Sequence, residues 1–277
     1  MPELPEVETV CLALSKILIN SKVINVKIYR KDLRWKIREK VKSDLEEDTL
    51  KNPYRRGKYI LIPTYKNNIL LIHLGMSGQI KIRANKEDIS KHDHFNMIIE
   101  TNNKNYYSII YNDPRRFGFI DLFDKRDIQN HFLLKKLGAE PLSKDFTIQY
   151  LQKKISKRST CIKNILIDQS LIAGIGNIYA SEILFKAKIN PLRSANSLNQ
   201  NNLKHIIDAT KFILKKSISV GGTSIRNHLQ PDGKLGYFVQ KLQVYGKTKQ
   251  KCTKCNNLIT SIFISGRSTF FCSSCQN

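Results

Sequence analysis

Val7, Val10, Cys11, Leu14 and Leu18 recur every three or four residues, which places one apolar stripe on a helix over residues 5 to 20. Beyond it the period falls to two. The runs "VINVKIY", "KYILIP", "NILLIHLG", "GQIKIR", "FNMIIE", "YYSIIY" and "FGFIDLF" are short, rich in β-branched and aromatic residues, and broken by Asn, Gly, Pro and Lys. Seven such runs within about 100 residues predict a β-sandwich or flattened barrel. From Lys125 the helical period returns in "DFTIQYLQKKISK", "CIKNILIDQSL", "NIYASEILFKA" and "NQNNLKHIIDATKFILKKSIS", with "AGIG" and "KINPLRSAN" as breaks. The glycine-rich "VGGTSIRNHLQPDGKLGYF" then leads to a cysteine-bearing tail. The expected fold is α+β and multidomain, in three parts: a helix plus β-sandwich over residues 1–124, a helical domain over 125–240, and a small module over 241–277.

Composition gives this framework a partner. The chain has 277 residues, and 47 basic against 23 acidic side chains leave a net charge of +24. So large an excess, spread along the chain, points to a polyanion, of which nucleic acid is the commonest soluble one. An anionic membrane is the other reading, but no apolar run approaches the roughly 20 residues of a spanning helix. The first apolar stretch follows acidic residues and is cut by Lys16, unlike a signal peptide, so the protein is expected in the cytoplasm. Cys252, Cys255, Cys272 and Cys275 form C-x2-C-x16-C-x2-C, a spacing that suits four thiolates on one zinc ion. Two disulfides would need an oxidising compartment. Cys11 and Cys161 lie in apolar patterns and read as buried spacers.

Several short stretches could carry chemistry. The chain opens "MPELPEVE". Removal of Met1 would free the nitrogen of Pro2, a secondary amine that condenses with a sugar C1′ to a cationic iminium, an electron sink. The same residues also read as a helix start, with Pro5 in the first turn and carboxylates at the positive end of the dipole. Lys58, after Gly57 at the mouth of a strand, could meet a phosphate or protonate a leaving group, or be an ordinary surface lysine. In "NDPRRFGF" a turn delivers Arg115 and Phe117 together, as base reader and aromatic wedge, or with Phe117 packed inward. Met76 in "HLGMSG" could fill the gap left by an extruded nucleotide, or be half-buried packing. His92 could donate to a phosphate or be a polar loop residue. Asn177, after Gly174 and Gly176, is expected to be a helix N-cap whose exposed N–H groups suit a phosphate; Arg158 and Lys163 could add charge or belong to a solvated run.

In order along the chain, "PELPEVE", "RRGKY", "HLGMSG", "KHDH", "DPRRFG", "DQSLIAGIGNIYASE", "GGTSIR" and "GRSTFFC" resemble the bacterial formamidopyrimidine-DNA glycosylases, from Pro2 to Gln276. The loop "RANKEDIS" and Cys161 depart from the family pattern without touching its proposed chemistry. The resemblance implies a helix-two-turns-helix domain, a β-hairpin zinc finger, and a monomeric bifunctional glycosylase and lyase acting on duplex DNA that contains oxidised purines or abasic sites. It implies Pro2 as the nucleophile, with Glu3 shuttling protons and Glu6 as a supporting carboxylate. Lys58 would be the proton donor in β-elimination and Arg267 in δ-elimination. His73, Met76, His92, Arg115, Phe117, Arg158, Lys163 and Asn177 would hold DNA. Residues 220–237 would close over the extruded base near Thr223, Ser224, Ile225 and Arg226. A glycosylase of the endonuclease VIII kind, acting on oxidised pyrimidines, is the alternative among enzymes; it starts differently after its own Pro-Glu and lacks the "DPRRFG" context, whereas a catalytically silent zinc-containing lesion binder would share the charge, the zinc and "GIGN". A mere binder has no use for a free secondary amine beside a carboxylate.

Overall fold

The computed structural model describes residues 1–84, 89–223 and 238–277. The chain divides into two compact units: Met1–Lys135 with Val220–Tyr237, and Lys136–Ser219 with Phe238–Asn277. The helical stretch after residue 136 and the cysteine tail thus belong to one unit, and residues 220–237 group with the first.

In the first unit, helix α1 (Leu4–Leu18) buries Val7, Val10, Cys11, Leu14 and Leu18, the stripe its sequence draws. It packs into one core with two four-stranded antiparallel sheets. One sheet runs in the order β1 (Lys22–Ile28), β6 (Asp93–Glu100), β7 (Tyr106–Asn112), β5 (Gln79–Ala84). The other runs β2 (Tyr54–Arg56), β3 (Tyr59–Pro63), β4 (Asn68–His73), β8 (Phe119–Asp124). Alternate residues face inward: Val26, Met97 and Ile109 from the first sheet meet Ile60, Ile62, Leu70 and Ile72 from the second. Two elements escape the periodicity argument, the three-residue β2 and the short helix α2 (Lys40–Leu45). Neither is long enough to show a period.

The second unit holds α3 (Ile148–Ile155), α4 (Ile162–Ile167), α5 (Asn177–Ala187) and α6 (Gln200–Ser219), where the sequence predicts helices. Its cysteine module is built on the antiparallel hairpin β9 (Thr260–Ile264) and β10 (Arg267–Phe271). A buried patch joins Phe185 of α5 to Val244, Cys252, Ile259 and Cys272. Among the described residues, no helix is long and apolar enough to cross a membrane.

Candidate active site

The start of α1 is built by its own carboxylates. Glu3 is the N-cap, Pro5 lies in the first turn, and Glu3 and Glu6 form a capping box in which Glu3 N donates to Glu6 Oε2 at 2.8 Å. The other Glu6 oxygen accepts from Thr223 N at 2.7 Å, so this carboxylate also holds the chain that follows α6. Glu3 and Glu6 are nevertheless only 2% and 3% exposed, and Pro2 is buried beside them. Helix start and carboxylate cluster are therefore the same feature. Burial lowers the pKa of the Met1 α-amino group; Glu3 and Glu6 oppose that shift, and Lys58 and Arg115 add to it. The chain terminus thus lies within electrostatic reach of two carboxylates and two cations.

Lys58 reaches this place through a two-residue hairpin turn. Gly57 takes φ +57° there, a conformation that other residues adopt at a cost. Arg55, just before the turn, donates to Glu8 Oε2 of α1 at 2.7 Å and to Gly57 O at 3.0 Å, tying the turn to the helix. Lys58 is only 6% exposed, which removes the surface-lysine reading. His73 ends β4 with its ring centroid 4.8 Å from that of Tyr59, and its Nδ1 accepts from Gly75 N at 3.2 Å. Burial first, then the charges of Lys58 and Arg34, lower its pKa to about 4. It is a neutral imidazole at physiological pH.

Two turns carry Met76, Arg115 and Phe117. Asp113 is fully buried; its carboxylate accepts from Ser77 Oγ at 2.6 Å, Gly118 N at 2.8 Å and Tyr111 OH at 3.2 Å. One side chain thus anchors both the turn at 74–78 and the turn at 113–118. The two backbones touch, since a Cβ at Gly75 would stand 2.5 Å from Phe117 C and Gly118 N. From this tip Met76 and Phe117 project, 45% and 43% exposed, so neither is core packing. The Arg115 guanidinium lies 4.8 Å from the Phe117 ring centroid. His92 sits at the base of the tip, where its carbonyl accepts from Asp113 N at 3.0 Å. Sequence reasoning missed Asp113 as the organiser, although an aspartate before proline in a turn is a signal for such bonding.

In the second unit the hairpin is strapped to two helices. Asn177 Nδ2 donates to Ser268 O at 2.8 Å, and Lys163 Nζ donates to Ser268 O at 3.4 Å and to Thr269 Oγ1. Asn177 is the first helical residue of α5 and Gly176 its N-cap, one residue from the expected capping position. Lys163 is fully buried, so its ammonium is spent on the hairpin rather than offered to solvent. Arg267, exposed, opens β10 directly after the tight turn at Ser265 and Gly266, beside the strapped Ser268. Arg158 is exposed and lies 3.7 Å from Asp168. The Sγ atoms of Cys252, Cys255, Cys272 and Cys275 lie within 4.8 Å of one another. A tetrahedron of Zn–S bonds of about 2.3 Å needs sulfur separations near ~3.8 Å, so the cluster fits a structural zinc with every position filled by thiolate. Ser224, Ile225 and Arg226 of the expected capping segment lie outside the described residues; Thr223 is described, and bonded to Glu6.

Comparisons place this geometry. Residues 1–120 match the formamidopyrimidine-DNA glycosylase N-terminal domain, 137–228 its H2TH domain, and 249–277 the zinc finger found in FPG and IleRS. The chain belongs to the formamidopyrimidine-DNA glycosylase family. It is 44% identical to the formamidopyrimidine-DNA glycosylase of Zymomonas mobilis over 100% of both chains, and 41% identical to that of Haemophilus influenzae over 100% of this chain and 99% of the relative. Lactococcus lactis Fpg in complex with abasic-site DNA superimposes with a TM-score of 0.89 at 36% identity, covering 99% of each chain. The same enzyme with N7-benzyl-Fapy-dG DNA gives a TM-score of 0.89 at 37% identity, again over 99% of each chain.

Proposed function

We propose that this glycosylase-family chain excises oxidised purines, 8-oxoguanine and formamidopyrimidines, from duplex DNA and cleaves the strand at the resulting site. The observation that carries the reading is the clustering of the chain terminus with Glu3, Glu6, Lys58 and Arg115. With Met1 removed, the Pro2 nitrogen attacks C1′ of the extruded nucleotide, and the N-glycosidic bond breaks as Glu3 moves protons between the opening sugar and the departing base. The nitrogen lone pair becomes the C=N bond of a cationic iminium. That sink acidifies the C2′ proton; its loss expels the 3′ phosphate, and a second elimination expels the 5′ phosphate. Lys58 donates a proton in the first elimination and Arg267 in the second.

Duplex DNA is bent and the lesion extruded at a cost of a few kcal/mol in unstacking. Met76 and Phe117 occupy the gap, Arg115 meets the orphaned base, and His73 and His92 line the approach. In the second unit Asn177 and Lys163 position the hairpin, Arg158 adds charge, and residues 220–237 close over the base. Zinc takes no part in the reaction; it holds the hairpin on which Arg267 stands. The protein works as a monomer in the compartment that holds the chromosome. Lactococcus lactis Fpg has also been solved with DNA containing an oxidised pyrimidine, so the substrate panel includes such a lesion.

Borohydride added during reaction with an end-labelled 8-oxoguanine duplex is expected to trap a covalent protein-DNA band, with the adduct on Pro2 by peptide mapping. An adduct on a lysine, or an undiminished yield from protein with an uncleaved N-terminal tag, overturns the assignment of Pro2. Absence of any trapped band or cleaved strand makes the chain a silent lesion binder.

A further inference from the structure

The loop "KDLRWKI" follows β1 and has no part in the reaction above. Leu33 and Ile37, 7% and 0% exposed, pin it to the sandwich core, and Ile37 N closes it on Lys31 O at 2.9 Å. With those two side chains inward, Arg34, Trp35 and Lys36 are forced outward. Trp35 is 40% exposed, and Phe132 beside it is 50% exposed, the rings edge-on at 5.8 Å over the buried Phe119. The Arg34 guanidinium stands 4.8 Å from the Trp35 ring centroid. The surface thus holds two neighbouring aromatic rings, with a guanidinium over one of them.

Two features say what covers it. The first is charge. The stretch from 30 to 39 carries Arg30, Lys31, Arg34, Lys36 and Arg38 against two acids, both engaged: Asp32 with Arg30 and Arg116, Glu39 with Lys31; Arg38 pairs with Asp121. The second is continuity. Arg34 N donates to Gly118 O at 3.2 Å, and Asp32 pairs with Arg116, which adopts φ +56° between Arg115 and Phe117. The loop is fastened to the very turn that carries reader and wedge. A sugar-phosphate backbone alternates apolar deoxyribose faces with anionic phosphates at the spacing of neighbouring side chains, which an aromatic pair flanked by arginine matches.

We propose that Arg34, Trp35 and Phe132 form a further duplex-DNA contact, in which the aromatic pair lies against deoxyribose beyond the reader turn and Arg34 meets the adjoining phosphate. This rests on the reading that Arg115 and Phe117 engage duplex DNA. Trp35 is the sole tryptophan of the chain, so its emission reports on the patch alone. Acrylamide quenching of Trp35 is measured with and without a saturating duplex containing a tetrahydrofuran abasic analogue, while anisotropy of the labelled duplex follows binding independently. Quenching is expected to fall several-fold in the complex. Trp35→Ala is expected to weaken binding about tenfold with the salt slope unchanged, and Trp35→Phe to recover most of it. Arg34→Gln is expected to lower the salt slope by about one.

Saturable anisotropy with unchanged quenching, or with wild-type affinity in both Trp35→Ala and Arg34→Gln, overturns the proposal and leaves the function standing. Absence of saturable binding overturns both. Protection that needs no DNA and grows with protein concentration assigns the patch to self-association instead, and also overturns the proposal.

Discussion

At the scale of single residues, the site depends on side chains whose burial sets their state. His73 titrates at about 4 in the folded chain against about 6.5 when unfolded. As pH falls through 6.5 the unfolded chain takes up a proton that the folded one refuses, so His73 contributes its full stability above 6.5 and loses it progressively down to about 4. Its NMR titration is expected to have a midpoint near 4, and His73→Gln should flatten the stability profile between those limits; a midpoint near 6.5 contradicts the burial argument. Arg115 and Phe117 should differ in kind. Arginine offers only donors, and cytosine's pairing edge presents O2 and N3 as acceptors, whereas adenine turns an amino donor to the same place. A bidentate contact gives roughly 1–3 kcal/mol of discrimination, about 5- to 150-fold in rate. Arg115→Ala is therefore expected to flatten the preference for lesion opposite C over lesion opposite A, while Phe117→Ala slows both. Single-turnover rates on the two duplexes check this; a wild-type ratio in Arg115→Ala contradicts the assignment. The sequence names these side chains but not their exposure. Whether Phe117 points outward or Lys58 inward depends on Asp113 and on the Arg55 to Glu8 bond, contacts between positions far apart in the chain.

At the scale of elements, long periodic segments were legible and their fastenings were not. α1 and α6 announce themselves by apolar spacing, whereas β2 has three residues and is fixed by pairing with β3. Glu182 in α5 closes the stretch "DQSLIAGIGNIYASE", but its role as a fastening is not legible there. It is 1% exposed, and its carboxylate accepts from the backbone N–H groups of Gln243, Val244 and Tyr245, each at 2.9 Å. Burial raises its pKa and those three donors oppose the shift. Glu182→Ala strands the donors, and each buried unmade bond costs about 1–3 kcal/mol. Loss of at least ~3 kcal/mol in denaturant unfolding is expected, with faster zinc release to a chelator; release at the wild-type rate would show that the module stands without this strap. Cys252→Ser should remove more. Zinc binding in small modules is worth on the order of 10–16 kcal/mol, beyond the margin of a typical domain. DNA binding and cleavage are expected to fall together, because the hairpin bearing Arg267 goes with the metal. Active protein free of zinc by metal analysis contradicts this.

At the scale of the whole molecule, a net charge of +24 makes association a counterion-exchange reaction. The logarithm of the binding constant should fall linearly with that of salt, by about 0.9 per phosphate neutralised, and affinity measured between 50 and 200 mM salt should drop by at least about tenfold. A flat response contradicts the electrostatic reading of the composition. The contact of Gly75 with Phe117 and Gly118 has a kinetic meaning on the same scale. Two turns whose backbones touch, both bonded to one aspartate, travel as a single rigid body. Met76 and Phe117 should therefore enter a base stack in one concerted event, so fluorescent bases on either side of the lesion should brighten with one shared relaxation time. A side chain at position 75 would pry the turns apart, and Gly75→Ala is expected to split that relaxation in two.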